Sequence, residues 1–129
     1  MLVQFKDYLK TLGLATNYYM GKIDSTKLET LGIYSQATSA RVEAFGKASS
    51  YNVAGFRLLV HWNKNARETE NAARNVYDQI KYITATDMDD IRVELITMDN
   101  GEPVFIGTDD NGVYEYYISG AIYYKRGNS

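Results

Sequence analysis

The stretch AGFRLLVHWNKNARETENAARNVYDQIKY, residues 54–82, decides the fold. Its first part, Gly55 to Trp62, alternates: Phe56, Leu58, Val60 and Trp62 fall on one side of an extended chain, and Arg57, Leu59 and His61 on the other. Its second part changes period. Asn65 is a good N-cap residue, Glu68 stands in the capping-box position, and Thr69, Ala72, Ala73, Val76, Tyr77 and Ile80 recur at helical spacing to about Tyr82. Arg67, Glu70, Arg74, Asp78 and Lys81 fill the wet side. Small residues at Ala66, Ala72 and Ala73 let this helix lie close to a sheet, and the face of Phe56, Leu58 and Val60 needs such a cover. A strand feeding directly into the helix that covers its apolar face is the core of an α+β architecture.

On the N-terminal side, Leu2, Phe5, Leu9 and Leu12 recur at helical spacing and Gly13 stands where a helix would stop, so residues 2–12 read as a first amphipathic helix. Residues 17–23 form a short strand candidate closed by the polar turn Asp24, Ser25, Thr26. Residues 28–35 form another, with Gly32 as a candidate bulge. From Gln36 to Asn52 the composition shifts to Ser, Ala, Thr, Gly and Lys, with Val42 and Phe45 the large apolar positions besides Tyr51. Polar stretches of this length are uncommon inside compact domains, and this one reads as a mobile arm at about 36–52 with a weak helical signal over 40–45.

On the C-terminal side, residues 84–90 read as a polar connection and Ile91 to Met98 alternates like a strand. Asp99-Asn100-Gly101-Glu102 carries a hairpin signal. A short strand over 103–106 follows, then the turn Asp109-Asp110-Asn111-Gly112 and the longest strand, with Tyr114, Tyr116, Ile118, Gly120, Ile122 and Tyr124 on one face. The expected fold is therefore α+β: a mostly antiparallel twisted β-sheet with two main helices packed on it and a C-terminal three-stranded meander, in a single domain spanning 1–129.

The chain has 129 residues, enough for one domain with a real core and too few for two. A net charge of −2 leaves no electrostatic footprint for nucleic-acid binding. With no cysteine, disulfides, thiolate metal sites and cysteine nucleophiles are excluded. No stretch approaches the roughly 20 apolar residues of a membrane span, and no basic segment precedes a long apolar run at the N-terminus, so a soluble intracellular or assembly-borne protein is expected. The twelve tyrosines fall mostly in strands, which suits a half-buried pleated surface and also hints at partner contacts.

Residues able to carry chemistry are sparse. The single histidine, His61, lies in a strand with no carboxylate beside it in sequence, and reads as a satisfied sheet residue. The acidic runs Asp87, Asp89, Asp90 and Asp109, Asp110, Asn111 lack the ligand order, central glycine and closing glutamate of a calcium loop, so turn chemistry explains them. The glycines at 101, 107 and 112 punctuate hairpins and do not form a phosphate-binding loop. No catalytic, cofactor or metal residues are assigned, and a non-enzymatic binding or structural role is expected.

The segment Gly107-Thr108-Asp109-Asp110-Asn111-Gly112-Val113-Tyr114-Glu115-Tyr116 resembles the last hairpin of the tail terminator proteins of long, non-contractile-tailed phages, also described as minor capsid proteins. Tyr19-Met20-Gly21-Lys22 after an N-terminal helix, and the strand Phe56 to Val60 leading into a Glu-, Ala- and Asn-rich helix, are similar to that family in the same order. Two positions depart from it: Thr108, where the family pattern has arginine, and His61, where the strand more often ends on arginine. The resemblance implies a structural virion protein of a phage or prophage that assembles in the host cytoplasm and resides at the tail–neck region. It implies a homo-oligomeric ring of six subunits that caps the tail tube, ends tube polymerisation and offers a surface to head-completion or connector proteins. DNA would pass through the lumen without sequence-specific binding, and no cofactor or membrane is implied. Arg41, Glu43, Phe45 and Lys47 of the arm, with Tyr18 and Tyr19, are the candidate oligomer or tail interface. The alternatives are a head-side connector stopper and a non-viral α+β small-ligand or peptide-binding domain; a hydrolase would need a nucleophile that the sequence does not supply.

Overall fold

The computed structural model describes residues 1–38 and 51–126. Within them run α1 (Leu2–Thr11), β1 (Asn17–Met20), β2 (Thr30–Gln36), β3 (Asn52–His61), α2 (Ala66–Lys81), β4 (Thr84–Met88), β5 (Ile91–Met98), β6 (Val104–Thr108) and β7 (Tyr114–Arg126). The strands make one sheet in the order β1-β2-β3-β7-β5-β4, with β6 also on β7. Only β1 and β2 pair in parallel. The expected α+β class, with two helices on a mostly antiparallel sheet, is the fold observed.

The helices form for the local reasons read above. α2 starts at Asn65, whose side chain accepts from the Glu68 backbone N–H at 2.9 Å. The reciprocal half of the capping box is taken over by Asn63, which accepts from the Asn65 N–H at 2.9 Å and donates to the Glu68 carboxylate at 2.8 Å. The stripe of Thr69, Ala73, Val76, Tyr77 and Ile80 is buried and packs on β7, β3 and β5. α1 buries Phe5 and Leu9 against β1, β2 and β4. Gly13, at φ 66°, ends it in the left-handed conformation that favours glycine.

Phe56, Leu58 and Val60 of β3 are fully buried under these helices, with Leu31, Ile33, Ile118 and Ile122 of the neighbouring strands. Leu58→Ala is therefore expected to cost about 2–4 kcal/mol of stability, the usual range for a large-to-small change in a packed core. Arg67→Ala, on the exposed face of α2, is expected to cost less than about 0.5 kcal/mol. Midpoints of urea unfolding would separate the two; a neutral Leu58→Ala would mean that the inward face of β3 is off by one residue.

The sheet departs from the sequence expectation in four places. First, the C-terminal strands do not form a meander: β3 occupies one edge of β7 over Glu115 to Tyr124, and β5 and β6 follow one another along its other edge. β7 is long enough to serve both. Asp99-Asn100-Gly101-Glu102 is consequently a break between tandem strands and not a hairpin turn; the Asp99 N–H continues the ladder to the Ser119 carbonyl at 2.9 Å, and the Tyr77 hydroxyl donates to the Asn100 carbonyl at 2.7 Å. The turn at 109–112 does make the expected hairpin, with Gly112 at φ 81°.

Second, residues 84–88, read as a connection, form the edge strand β4 against β5. Its pattern was illegible because only Met88 is buried and Ala85, at φ 46°, interrupts the alternation. Third, Gly32 is not a bulge, since its register with Leu59 is regular; a Cβ there would lie 2.5 Å from the Ile23 side chain. The register shifts lie between Val93 and Leu95 and between Phe105 and Gly107. Fourth, Gln36 closes β2 and Asn52 opens β3, so both end residues of the 36–52 stretch belong to strands. The possible helix over 40–45 and the rest of that stretch from 39 to 50 lie outside the described residues. No described helix is long and apolar enough to cross a membrane.

Candidate functional site

The sheet leaves β1, β4 and β6 with an unpaired edge among the described residues. β6 is the most apolar of these edges: Phe105 and Ile106 are 53% and 51% exposed. They stand at the register shift between Phe105 and Gly107, where Ile106 has no partner in the ladder, so two consecutive large apolar side chains meet solvent at this edge. The Phe105 ring packs on Tyr116 and Tyr114, with centroids at 5.2 and 6.2 Å, so its exposed side is presented on an aromatic base. Met20 closes β1 at the opposite end of the sheet and is 40% exposed. Natural sheets usually blunt such edges with charge or cover.

The two expected interface residues that are described sit on β1. Tyr18 is turned to internal work: its hydroxyl accepts from the Ala15 N–H at 2.8 Å and donates weakly to the Leu9 carbonyl at 3.4 Å. Tyr19 is half-buried. Arg41, Glu43, Phe45 and Lys47 lie outside the described residues, so nothing in the structure brings them to Tyr18 or Tyr19.

On the sheet face opposite the helices, Arg57 lies over the Tyr117 ring at 4.0 Å, and Lys125 over Tyr51 at 4.9 Å. Such cation–π pairs cover one face of Tyr117 on β7 and of Tyr51 just before β3. Between α1 and the turn after β4 is a cleft of about 260 Å³. Asp7, Asp87 and Asp89 line it with Gln4, whose Oε1 is buried and has no hydrogen-bond partner among the described residues. Asp87 is ion-paired with Arg92 at 3.0 Å, and the Thr11 hydroxyl in the lining donates to the Tyr8 carbonyl at 2.6 Å.

The remaining polar cluster surrounds His61. The imidazole is wholly buried, with Nε2 3.0 Å from the Ser25 carbonyl and Nδ1 2.8 Å from Glu115 Oε2. Asp109 Oδ2 lies 3.9 Å from the same Nδ1. The expectation of a satisfied histidine holds, but its partners come from elsewhere in the chain: Glu115 is 54 residues away in sequence and is placed opposite His61 by the β3–β7 register. Asp109 is held by its other oxygen, Oδ1, which accepts from the Asn111 and Val113 N–H groups, both at 2.9 Å. The Val113 hydrogen bond above all holds the Asp109 carboxyl below its usual pKa; burial opposes this, and Asn111, His61 and Lys64 add to it. Turn chemistry thus accounts for one oxygen of Asp109 and leaves the other facing the histidine.

The fold is that of an α+β protein with two consecutive exposed apolar residues, Phe105 and Ile106, on a sheet edge. The sequence matches the family model for bacteriophage tail terminator proteins over residues 8–126 of the 129-residue chain, and the chain belongs to that family. It is a structural component of a phage tail. No curated protein matches the sequence.

Proposed function

We propose that the chain assembles into a ring of six copies that caps the finished tail tube, stops further addition of tube protein and presents its other face to head-completion proteins at the neck. The observation that carries this reading is the family match over nearly the whole chain, joined to a sheet whose ends are unpaired among the described residues and whose β6 edge exposes Phe105 and Ile106. A ring requires a heterologous contact, in which one surface of a subunit meets a different surface of the next. Open edges at the two ends of one sheet supply two different surfaces of that kind.

Within this proposal, β1 with Tyr18 and Tyr19 and the 39–50 segment with Arg41, Glu43, Phe45 and Lys47 make the contacts to neighbouring subunits or to the tube. Arg41 is of a type enriched at binding hot spots, Glu43 offers the opposite charge and Phe45 an aromatic anchor. DNA passes through the ring without being read, consistent with a net charge of −2.

The test is a variant with Ala40 to Lys47 replaced by a short Gly/Ser linker. It is expected to keep its melting temperature within a few degrees while failing to cap tubes, so that electron micrographs of an assembly reaction show overlong tails. Tails of normal length with that variant would remove the segment from the interface. Wild-type protein that decorates portal-bearing heads and ignores tail tubes would replace the terminator reading with that of a head-side stopper.

A further inference from the structure

We infer that His61, Asp109 and Glu115 form a binding site for a divalent transition-metal ion of the zinc class. The inference is independent of ring formation and rests on how the fold arranges three donors. The Ser25 carbonyl can only accept, so the Nε2 atom 3.0 Å away must carry a hydrogen. This fixes the ring orientation and directs Nδ1 at the carboxylates; without an ion the 2.8 Å contact to Glu115 Oε2 is a hydrogen bond that Nδ1 donates, so an ion takes the place of that hydrogen, with histidine a ligand through one nitrogen while a backbone carbonyl holds the other.

The distances suit an ion. Nδ1 is 2.8 Å from Glu115 Oε2 and 3.9 Å from Asp109 Oδ2, and the three donor atoms lie within 4.8 Å of one another. Tetrahedral zinc with bonds of about 2.0–2.1 Å needs donors about 3.3 Å apart, so of the two separations from Nδ1 one has to widen by about 0.5 Å and the other to shorten by about 0.6 Å, and the two carboxylate oxygens have to settle at a similar spacing. Side-chain adjustment of Glu115 suffices for the first. Asp109 is already preorganised, because two backbone N–H groups hold its Oδ1. The carboxylate side chains are 17% and 19% exposed, which leaves room for water as a fourth ligand.

Donor chemistry selects the class of ion. One imidazole nitrogen and two carboxylate oxygens suit zinc, cobalt or manganese, whereas calcium asks for six to eight oxygens and copper(I) for sulfur. Charge points the same way. Two carboxylates converge on one imidazole there, and a divalent ion balances the charge of both. The other ionisable groups felt there are Lys64, which acts on Asp109, and the Tyr34 phenol, which senses Glu115. A bound ion would tie the end of β3 to the start of β7 and to the β6–β7 turn, bracing the edge that carries Phe105 and Ile106.

The single histidine of the chain makes the test unambiguous. Untagged, chelator-stripped protein is titrated with zinc at neutral pH while the His61 imidazole ¹⁵N resonances are followed, and cobalt(II) is used as an optical probe. The expected results are one ion per chain, a large shift confined to Nδ1, visible cobalt bands of a low-coordinate site and a raised melting temperature. Asp109→Asn and Glu115→Gln are each expected to weaken zinc binding at least tenfold, and Asp87→Asn, outside the cluster, to leave it unchanged. Because the wild-type spectrum alone reports on Nδ1, the test survives a variant that fails to fold. His61 resonances that do not respond to millimolar zinc, or zinc affinity equal in the wild type and both cluster variants, would overturn the site.

Discussion

Phe56→Ala is expected to lower the unfolding free energy by about 3–5 kcal/mol, a large share of the total for a domain of this size. Phe56 is fully buried and joins the two layers of the molecule. Its ring meets that of Phe5 on α1 with centroids 5.1 Å apart and planes tilted by 58°, a favourable aromatic geometry. On the sheet side it fills the space left by Gly120: its Cζ and Cε1 atoms lie 3.1 and 3.2 Å from where a Cβ of that residue would stand. Truncation leaves a void walled by a helix and two strands, which cannot collapse without moving backbone. Urea unfolding is expected to show a lower midpoint with an unchanged slope. A cost below about 1 kcal/mol would mean that α1 is only loosely docked on the sheet.

Gly120→Ala is expected to be nearly as damaging, for the opposite reason. The added Cβ would lie 2.1 Å from the Thr97 carbonyl oxygen of β5, and no rotamer change can move a backbone atom. β5 and β7 must separate locally at the Met98–Gly120 pairing, while the Phe56 ring is displaced. A cost of about 3 kcal/mol, at the upper end for overpacking, is expected. Amide exchange in β5 should accelerate more than in β3. Gly101→Ala is the control, since nothing lies within 4 Å of a Cβ there, and it should change stability by less than about 0.5 kcal/mol. Combining Gly120→Ala with Phe56→Leu relieves the ring contact but not the Thr97 contact, so the double variant should recover only part of the loss. Full recovery would locate the clash in the side chain and not in the β5 backbone.

The candidate sites were legible to different degrees. Resemblance in the 107–116 segment and in the order of helix, strand and helix leads to the tail terminator family, which the match over residues 8–126 establishes. Single-chain sequence patterns are silent on which subunit surfaces meet, because an interface is a property of two surfaces. The exposed Phe105 and Ile106 illustrate this: in sequence they are ordinary strand residues, and only their place on an unpaired edge singles them out. His61 shows the same limit. Its departure from the arginine more usual at that strand end was visible, whereas Glu115 and Asp109 beside it were not.

What the sequence determined by itself is what short-range physics controls. Asn65 caps α2 through an N–H three residues away, the stripe from Thr69 to Ile80 selects the buried side of that helix, and Gly112 allows the tight turn into β7; each signal and its consequence lie within a few residues. Alternation in β3 likewise specified which face goes inward. It did not specify neighbours, since a period of two is satisfied by any partner strand that brings a matching face. Tertiary structure alone decided that β7 lies between β3 and β5, that β6 continues along the edge that β5 leaves, and that polar residues 84–88 become a strand. It also brought a histidine and two carboxylates together at one end of the sheet, because the free energy of those pairings depends on contacts between segments that only the assembled sheet makes adjacent.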